Sequence, residues 1–228
     1  SSRRRHTRYP LVTGVRTCAL PISQVQLTER LAETAGIRNN STVVDVGCGM
    51  GGSSVWLAKK LGCSVTGITL SPVQRFYAAS AASLRMVKPR PRFFRADAET
   101  FELPDQSTDY VWSIECTEHF FDKPAFFRKA ARWLKPGGRF ALCAWLAGPS
   151  PLTEVQSKLA QDVCRGMFCP SLGTQQDYID WFESAGMKIV HTSLWTKQVE
   201  RTWEICLERV QRTRIRHLAR IVGANHVL

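Results

Sequence analysis

The sequence predicts an α/β fold, a doubly wound parallel sheet covered by helices on both faces in three layers, α/β/α. Three observations carry that expectation. From Gln24 onward helical and strand signals alternate, with turn residues between them, as they must where parallel strands are joined by covering helices. A glycine-rich stretch, Gly47 to Gly52, joins the first strand to the helix after it. The chain has 228 residues, 44% of them hydrophobic, which is enough for one domain with a sizeable core. No apolar run approaches the ~20 residues of a membrane-spanning helix.

Val25 to Ala35 reads as a helix closed by Gly36, and Thr42 to Val46 as a short β-branched strand running into the glycines. Ser53 to Leu61 is helical, and Ser64 to Thr69 alternates as a second strand. Ser71 then caps a helix whose first position is Pro72 and which reaches about Met86. Arg92 to Arg95 gives a third strand and Tyr110 to Ile114 a fourth, apolar apart from Ser113. Lys123 to Leu134 is helical and is stopped by Lys135-Pro136-Gly137-Gly138, after which Phe140 to Leu146 forms a fifth strand.

Beyond Gly148 the rhythm changes. A helix near Pro151 to Cys164, a loop at Cys169 to Gly173 and a short helix at Gln175 to Ser184 read as an insertion over the strand tips, at about residues 148–186. Met187 to Trp195 is expected as a sixth strand. Val199 to about Val222 is expected as an amphipathic helix with Trp203, Leu207, Val210, Leu218 and Ile221 on one side.

The formal net charge of +12 invites a nucleic-acid partner, because clustered Lys and Arg displace counterions from phosphates. Its distribution weakens the invitation. Ser1 to Ile22 holds Arg3, Arg4, Arg5, Arg8 and Arg16 and no acid, so five of the twelve charges come from one short segment. That segment lacks periodicity and is similar to translated sequencing-adapter sequence, so residues 1–22 are set aside as non-native and 23–228 are taken as the domain. Of the eight cysteines, Cys48, Cys63, Cys116 and Cys143 fall in or beside strands, where a free thiol behaves as a small apolar group, and a reducing cytoplasm is expected. Cys164 and Cys169 have no second Cys/His pair at ligand spacing, so no metal site is expected.

The stretch Val43-Val44-Asp45-Val46-Gly47-Cys48-Gly49-Met50-Gly51-Gly52-Ser53 carries the chemistry. Glycines there let the backbone turn tightly and approach a ligand, while N–H groups at the helix start face whatever binds. Gly47, Gly49 and Gly51 satisfy GxGxG, the pattern of methyl-transfer enzymes, and Gly47, Gly49 and Gly52 equally satisfy the dinucleotide pattern GxGxxG. A dinucleotide site places an acid about 20 residues on to hold a ribose hydroxyl. Between Asp45 and Asp97 there is no acidic residue at all, so NAD loses ground. Asp45 suits a sulfonium and an ammonium by its charge, or else caps the turn.

Through VVDVGCGMGGSS, GITLSPVQ, ADAE, VWSIECTEHFFDK and WLKPGG, in that order, the chain from about Gln24 resembles the class I methyltransferases that use S-adenosylmethionine (SAM). Within them it is most similar to the γ-tocopherol and sterol methyltransferase-like branch. The resemblance implies a Rossmann-like sheet and SAM as cofactor. It implies cofactor contacts from Asp45, Gly47, Cys48, Gly49 and Gly51 and from Ile114 at the end of the fourth strand. Thr69, Leu70 and Gln74 would face ribose and adenine, and Asp97 and Ala98 the adenine edge, with Asp97 as a plain turn residue the alternative. Glu99 is expected at the solvent or as a cap.

The segment Ile114 to Phe120 extends past the fourth strand, on the carboxyl edge where ligands bind in such sheets. His119 is the candidate general base, and Glu115 or Glu118 would orient it or pair with a cationic acceptor. A His that only bonds the loop backbone is the competing reading. Phe120, Phe121, Phe126, Phe127 and Trp145, with Phe168, Tyr178 and Trp181 of the insertion, favour a small apolar or aromatic acceptor such as a phenol, quinol or sterol, with O- or C-methylation.

Two other functions stay open. Arg201, Arg209, Arg212, Arg214, Arg216 and Arg220 would give an RNA methyltransferase a phosphate track, although no DPPY-like tetrapeptide follows the fourth strand, where Ile114-Glu115-Cys116-Thr117 stands. A non-catalytic SAM- or nucleotide-binding fragment is the second, since nothing strand-like follows Val222 and the sheet is expected to lack its last strand. No transmembrane segment is expected, and peripheral membrane contact and oligomeric state are left open.

Overall fold

The structure, a computed structural model, describes residues 21–148, 151–199 and 201, 204, 205 and 208. Thr28–His191 form one compact unit, which contains the whole sheet, and the described residues up to Leu27 and from Thr192 on belong to a second. In chain order the elements are α1 (Pro21–Ala35), β1 (Thr42–Val46), α2 (Gly52–Leu61), β2 (Ser64–Thr69), α3 (Pro72–Leu84), β3 (Arg92–Arg95), β4 (Thr108–Ile114), α4 (Lys123–Trp133), β5 (Leu134–Cys143), α5 (Glu154–Met167), α6 (Gln175–Ser184) and the short α7 (Thr196–Val199).

The five strands form one sheet in the order β3-β2-β1-β4-β5, every pair parallel. From β1 the chain winds outward through β2 to β3, then returns to β4 on the other side of β1 and continues to β5. Parallel crossovers follow a right-handed rule, which sends the helices of the two halves to opposite faces of a sheet with this strand order. The order reverses between β1 and β4, and the carboxyl edge at such a reversal is where open sheets of this kind bind ligands.

Local chemistry sets the ends of the elements. The Ser71 hydroxyl accepts from the Gln74 N–H at the start of α3, and the Asp122 carboxylate accepts from the Ala125 N–H at the start of α4. Thr153 and Gln156 form a reciprocal capping box, which starts α5 three residues after Pro151 and carries it on to Met167. Central strand β1 is buried from Val43 onward, as a strand covered on both faces must be. Val44, Val46, Ile68 and Val111 meet Phe126, Ala130 and Trp133 of α4 in the core. Phe127, fully buried, stacks on Trp181 and meets Phe140, Tyr178 and Phe182 edge-on or tilted, so one ring joins α4, β5 and α6.

Three expectations need correction. Met187 to Trp195 is not a strand: no ladder reaches it among the described residues, and β-branched residues without a neighbouring backbone make none. The fifth strand ends at Cys143 rather than Leu146 and begins at Leu134. Lys135-Pro136-Gly137-Gly138 interrupts it instead of preceding it. Thr108 pairs with Leu134 and Tyr110 with Arg139, so the four residues bulge out of the ladder, with Gly137 at φ +76°. Finally, α1 begins at Pro21 rather than Val25, while residues 1–20 lie outside the described residues. Most of the expected helix from Val199 to Val222 also lies outside them, including Trp203, Leu207, Val210, Leu218 and Ile221.

Truncating Phe127 to Ala is expected to destabilise the chain by ~3–5 kcal/mol, the range for emptying a buried aromatic site. Urea unfolding measures it, and a change below about 1 kcal/mol would mean that the aromatic cluster does not hold α6 to the sheet.

Candidate functional site

The candidate site at this reversal is built from three loops, which leave β1, β3 and β4. In the first, Gly47, Gly49 and Gly51 all have positive φ, between 51° and 78°, and each does different work. A Cβ on Gly47 would overlap Cys116, so the loop lies directly against the segment leaving β4. A Cβ on Gly51 would lie 2.8 Å from the Ala78 Cβ, so this glycine seats α2 beside α3. Gly49 and Gly52 face open space: nothing but a carbonyl 4.0 Å away stands near the first, and nothing within 4 Å near the second. Gly51 caps α2 without a side chain of its own, and the Asp45 carboxylate meets the Ser54 N–H in the first turn, so the N–H groups of Gly52 and Ser53 are the ones turned toward a ligand. The loop is therefore an accessible backbone cradle.

Asp45, next to last in β1, is 2% exposed and accepts a 2.6 Å bond from the Ser54 hydroxyl. Burial raises its carboxyl pKa to about 6 although that bond pulls the other way. The carboxylate thus ties β1 to the first turn of α2, a tether that the sequence did not reveal. Cys48 is buried, and burial pushes its thiol pKa far up, so it offers the site a backbone and no thiolate.

On the second strand the Thr69 hydroxyl donates to the Gln74 amide oxygen at 2.7 Å, and Leu70 stands exposed between them. Past β3, Asp97 is exposed and accepts the Glu99 N–H at 2.8 Å in a local turn. Glu99 is neither solvating nor capping its own turn. Its carboxylate accepts the Phe121 and Asp122 N–H groups at 3.0 and 2.8 Å, fastening the loop after β3 to the start of α4. Lys129, buried on α4, donates to the Ala98 carbonyl at 2.8 Å with the Phe126 and Trp133 rings 5.9 and 5.5 Å from its Nζ. Sequence reasoning missed both clamps. The only signal was a lysine at a helix position whose neighbours are apolar.

Beyond Ile114 the chain turns sharply. Glu115 takes φ +50°, a left-handed conformation costly for a residue with a Cβ, and its N–H donates to the Cys143 carbonyl at 2.8 Å. A 3₁₀ turn over Thr117–His119 follows. Glu118 is 1% exposed and accepts the Trp145 N–H, and one oxygen of each of Glu115 and Glu118 is buried with no hydrogen-bond partner among the described residues. Burial, with the nearby Glu115 charge adding, raises the Glu118 pKa to about 7, and burial also raises that of Glu115. Lys123 Nζ, close enough to oppose that rise, donates to the Phe120 carbonyl and the Ser171 hydroxyl at 2.9 and 3.1 Å.

His119 points the other way. It is exposed, with its Nδ1 3.5 Å from the Phe168 carbonyl and 3.7 Å from the Cys169 thiol, and partial burial holds its pKa below the ordinary imidazole value. No hydrogen bond joins His119 to either glutamate. The insertion reaches the same turn: Tyr178 on α6 and Thr117 share a 2.9 Å hydroxyl contact, and Ala147 donates to the Gly173 carbonyl at 2.9 Å. The structure thus brings together Asp45, the glycines, Ile114, Glu115 and Glu118 around the β1 and β4 tips, with His119 on the insertion side. Of the arginines expected as a phosphate track, Arg209, Arg212, Arg214, Arg216 and Arg220 lie outside the described residues.

A family model described as Methyltransferase domain matches residues 44–142. The chain is 32% identical over 192 residues to the chloroplastic tocopherol O-methyltransferase of Arabidopsis thaliana, which covers 79% of this chain and 55% of that protein. It is 31% identical over 209 residues to the 27-O-demethylrifamycin SV methyltransferase of Amycolatopsis mediterranei, covering 91% of this chain and 76% of that protein. The chain spans about half the length of the tocopherol methyltransferases that it matches. In fold it is similar to a putative sarcosine dimethylglycine methyltransferase from Galdieria sulphuraria, with a TM-score of 0.76 at 20% identity over 86% of this chain and 71% of that one.

Because the Glu118 pKa is raised on folding, the folded state holds a proton that the unfolded chain has released. The stability this contributes is complete below the ordinary 4.5 and is lost as pH rises through about 7. Relative to Glu118→Gln, whose amide does not titrate, the parent chain should therefore lose on the order of 1–3 kcal/mol between about pH 5 and about pH 8. Urea midpoints at the two pH values measure the difference, and a gain in place of the loss would reverse the assignment.

Proposed function

The chain belongs to the class I S-adenosylmethionine-dependent methyltransferases, in the branch of the tocopherol and sterol methyltransferases. On that premise we propose that it holds SAM in the loop after β1 and methylates the oxygen or carbon of a small apolar or aromatic acceptor over the tip of β4. The observation that carries this reading is the Asp45–Gly52 cradle at the reversal of strand order, with Gly49 and Gly52 open and a glycine as the helix cap.

When bound, SAM supplies a methyl group on positively charged sulfur, and the transfer is a direct displacement in which alignment does most of the work. The residues present fit such a ligand. Asp45 is the one carboxylate in the loop, and a cationic group arriving beside it would return its raised pKa toward the ionised range. Gly47, Cys48, Gly49 and Gly51 would offer backbone. Thr69, Leu70 and Gln74 would hold the ribose and adenine side, Asp97 and Ala98 the adenine edge, and Ile114 the floor at the β4 tip. The clamps of Glu99 and Lys129 would keep that edge in place before any ligand arrives.

His119 is the accessible base of the three candidates. Its Nδ1 lies near the Phe168 carbonyl, which only accepts, and the Cys169 thiol, which can donate or accept; with the ring proton on Nδ1 the Nε2 lone pair would be left to take the acceptor's proton. Its lowered pKa keeps that neutral form populated. Glu118 is buried and acts as a positioning residue, linking the turn after β4 to Trp145 past β5. Exposed Phe121 and Phe168 support an apolar or aromatic acceptor, and relatives named for tocopherol and for a rifamycin point the same way. All six described cysteines are free thiols, which supports a reducing compartment such as the cytoplasm.

Thermal unfolding tests the cofactor first. SAM and S-adenosylhomocysteine should stabilise the chain by about 2.7 kcal/mol at a hundredfold excess over Kd, NAD should not, and Asp45→Ala should remove the shift. A shift with NAD alone would overturn the reading. With phenols, prenylated quinols and sterols as acceptors, His119→Ala should lower kcat by roughly 10²–10⁴-fold while preserving the SAM-induced shift. Undiminished turnover would return His119 to a purely structural role.

A further inference from the structure

Helix α3 carries its small residues inward and its bulky ones outward. Ala78 and Ala82 are both 0% exposed, and the close approach of Gly51 explains why position 78 must stay small. No such reason accounts for the outer face. Val73, Phe76, Tyr77, Ser80 and Leu84 fall at i, i+3, i+4, i+7 and i+11, a single stripe of a 3.6-residue helix. Phe76 is 65% and Leu84 83% exposed, and Met86 continues the apolar surface past the end of the helix. Isolated exposed apolar residues are ordinary, but a contiguous stripe on one helix face marks a contact surface.

The charge around the stripe has one sign. Between Asp45 and Asp97 the chain has eight basic residues and not one acid. Arg75 and Arg90 line the same shallow groove as Phe76 and Leu84, with Arg90 donating to the Ser83 hydroxyl, and Arg85 and Lys88 are exposed just beyond. An apolar stripe fringed only by cations is complementary to a surface that is apolar inside and anionic outside. It is not complementary to itself. In a twofold dimer of this face the cationic fringe of one copy would meet that of the other.

We propose that the outer face of α3, with the Arg85 to Arg90 turn, docks on an anionic lipid bilayer. Phe76, Tyr77 and Leu84 enter the boundary between headgroups and acyl chains, and the flanking cations pair with lipid phosphates or carboxylates. Leu70, exposed at the N-terminal end of the same helix, extends the apolar surface to the edge of the site. Docking stands independently of the methyl-transfer reading. Only its purpose, the delivery of a lipid-dissolved acceptor to that edge, rests on it.

Co-sedimentation of the full chain with phosphatidylcholine vesicles, and with vesicles containing 30% phosphatidylserine, tests the surface without cofactor or acceptor. Binding to the anionic vesicles should be at least tenfold tighter. The double variant Phe76→Ser/Leu84→Ser leaves every charge in place, the arginines of the first residues included, and should weaken that binding more than tenfold with an unchanged thermal midpoint. If that variant unfolds, Arg85→Gln/Lys88→Gln should do the same, since each cation near an anionic surface is worth about fivefold. Undiminished vesicle binding by a folded variant would overturn the proposal by showing that diffuse charge alone is responsible. So would sedimentation equilibrium without vesicles that finds a dimer in the parent and a monomer in the serine variant, since the occupant would then be a second copy.

Discussion

At Gly47 a side chain is sterically excluded, because any Cβ would fall on Cys116. The backbone leaving β1 can consequently lie flat against the segment leaving β4, at the point where the sheet reverses its winding. With a larger residue the two loops would be pushed apart, the site would lose one wall, and Glu115 would lose the sharp turn that brings its N–H to Cys143. The other contacts of the site work on top of this apposition. Ser54 draws Asp45 toward α2, Glu99 and Lys129 hold the third loop to α4, and Tyr178 holds the turn at Thr117. Each fixes a loop whose position is first set by the missing side chain.

Much of the fold was legible because its signals are local. Ser71 with Pro72 marks a helix start by backbone chemistry that needs no partner, and the structure begins α3 there. The bounds of β1 and β2 follow from β-branched runs closed by Gly47 and by the Ser71-Pro72 helix start. Met187 to Trp195 shows the limit. Its residues favour extended backbone, but a strand exists only where a neighbour supplies the other half of the ladder, and that neighbour is not encoded in the segment itself. The same limit hid the roles of Glu99 and Lys129. Their partners, the Phe121 and Asp122 N–H groups and the Ala98 carbonyl, are backbone groups more than twenty residues away, which no spacing rule reports. His119 and the two glutamates illustrate the reverse case, since sequence proximity suggested a hydrogen-bonded group and the 3₁₀ turn sends them in different directions.

The region after β4 concentrates polar groups where the surroundings favour none. Glu118, Lys123 and the Thr117–Tyr178 pair are buried in this turn, with Phe127 against Tyr178, and two carboxylate oxygens there, of Glu115 and Glu118, find no donor among the described residues. Such an arrangement costs stability, because buried carboxyls resist ionisation and unpaired oxygens forfeit their water. Surface loops seldom carry that cost without a task. Here the burden lies at the candidate site and on the residues that join sheet to insertion, so rigidity of the acceptor side is obtained at the expense of the fold.

The bulge at Lys135 to Gly138 bears on how the molecule avoids its own kind. β5 has a neighbour on one side only among the described strands, and an outer strand with regular unpaired amides is a template for another chain. Proline removes one amide, and the three extra residues break the register that an incoming strand would need. The lower half of this border is thereby made unfit for fibril-like growth, and only the short stretch from Arg139 to Cys143 remains regular enough to recruit a stray strand.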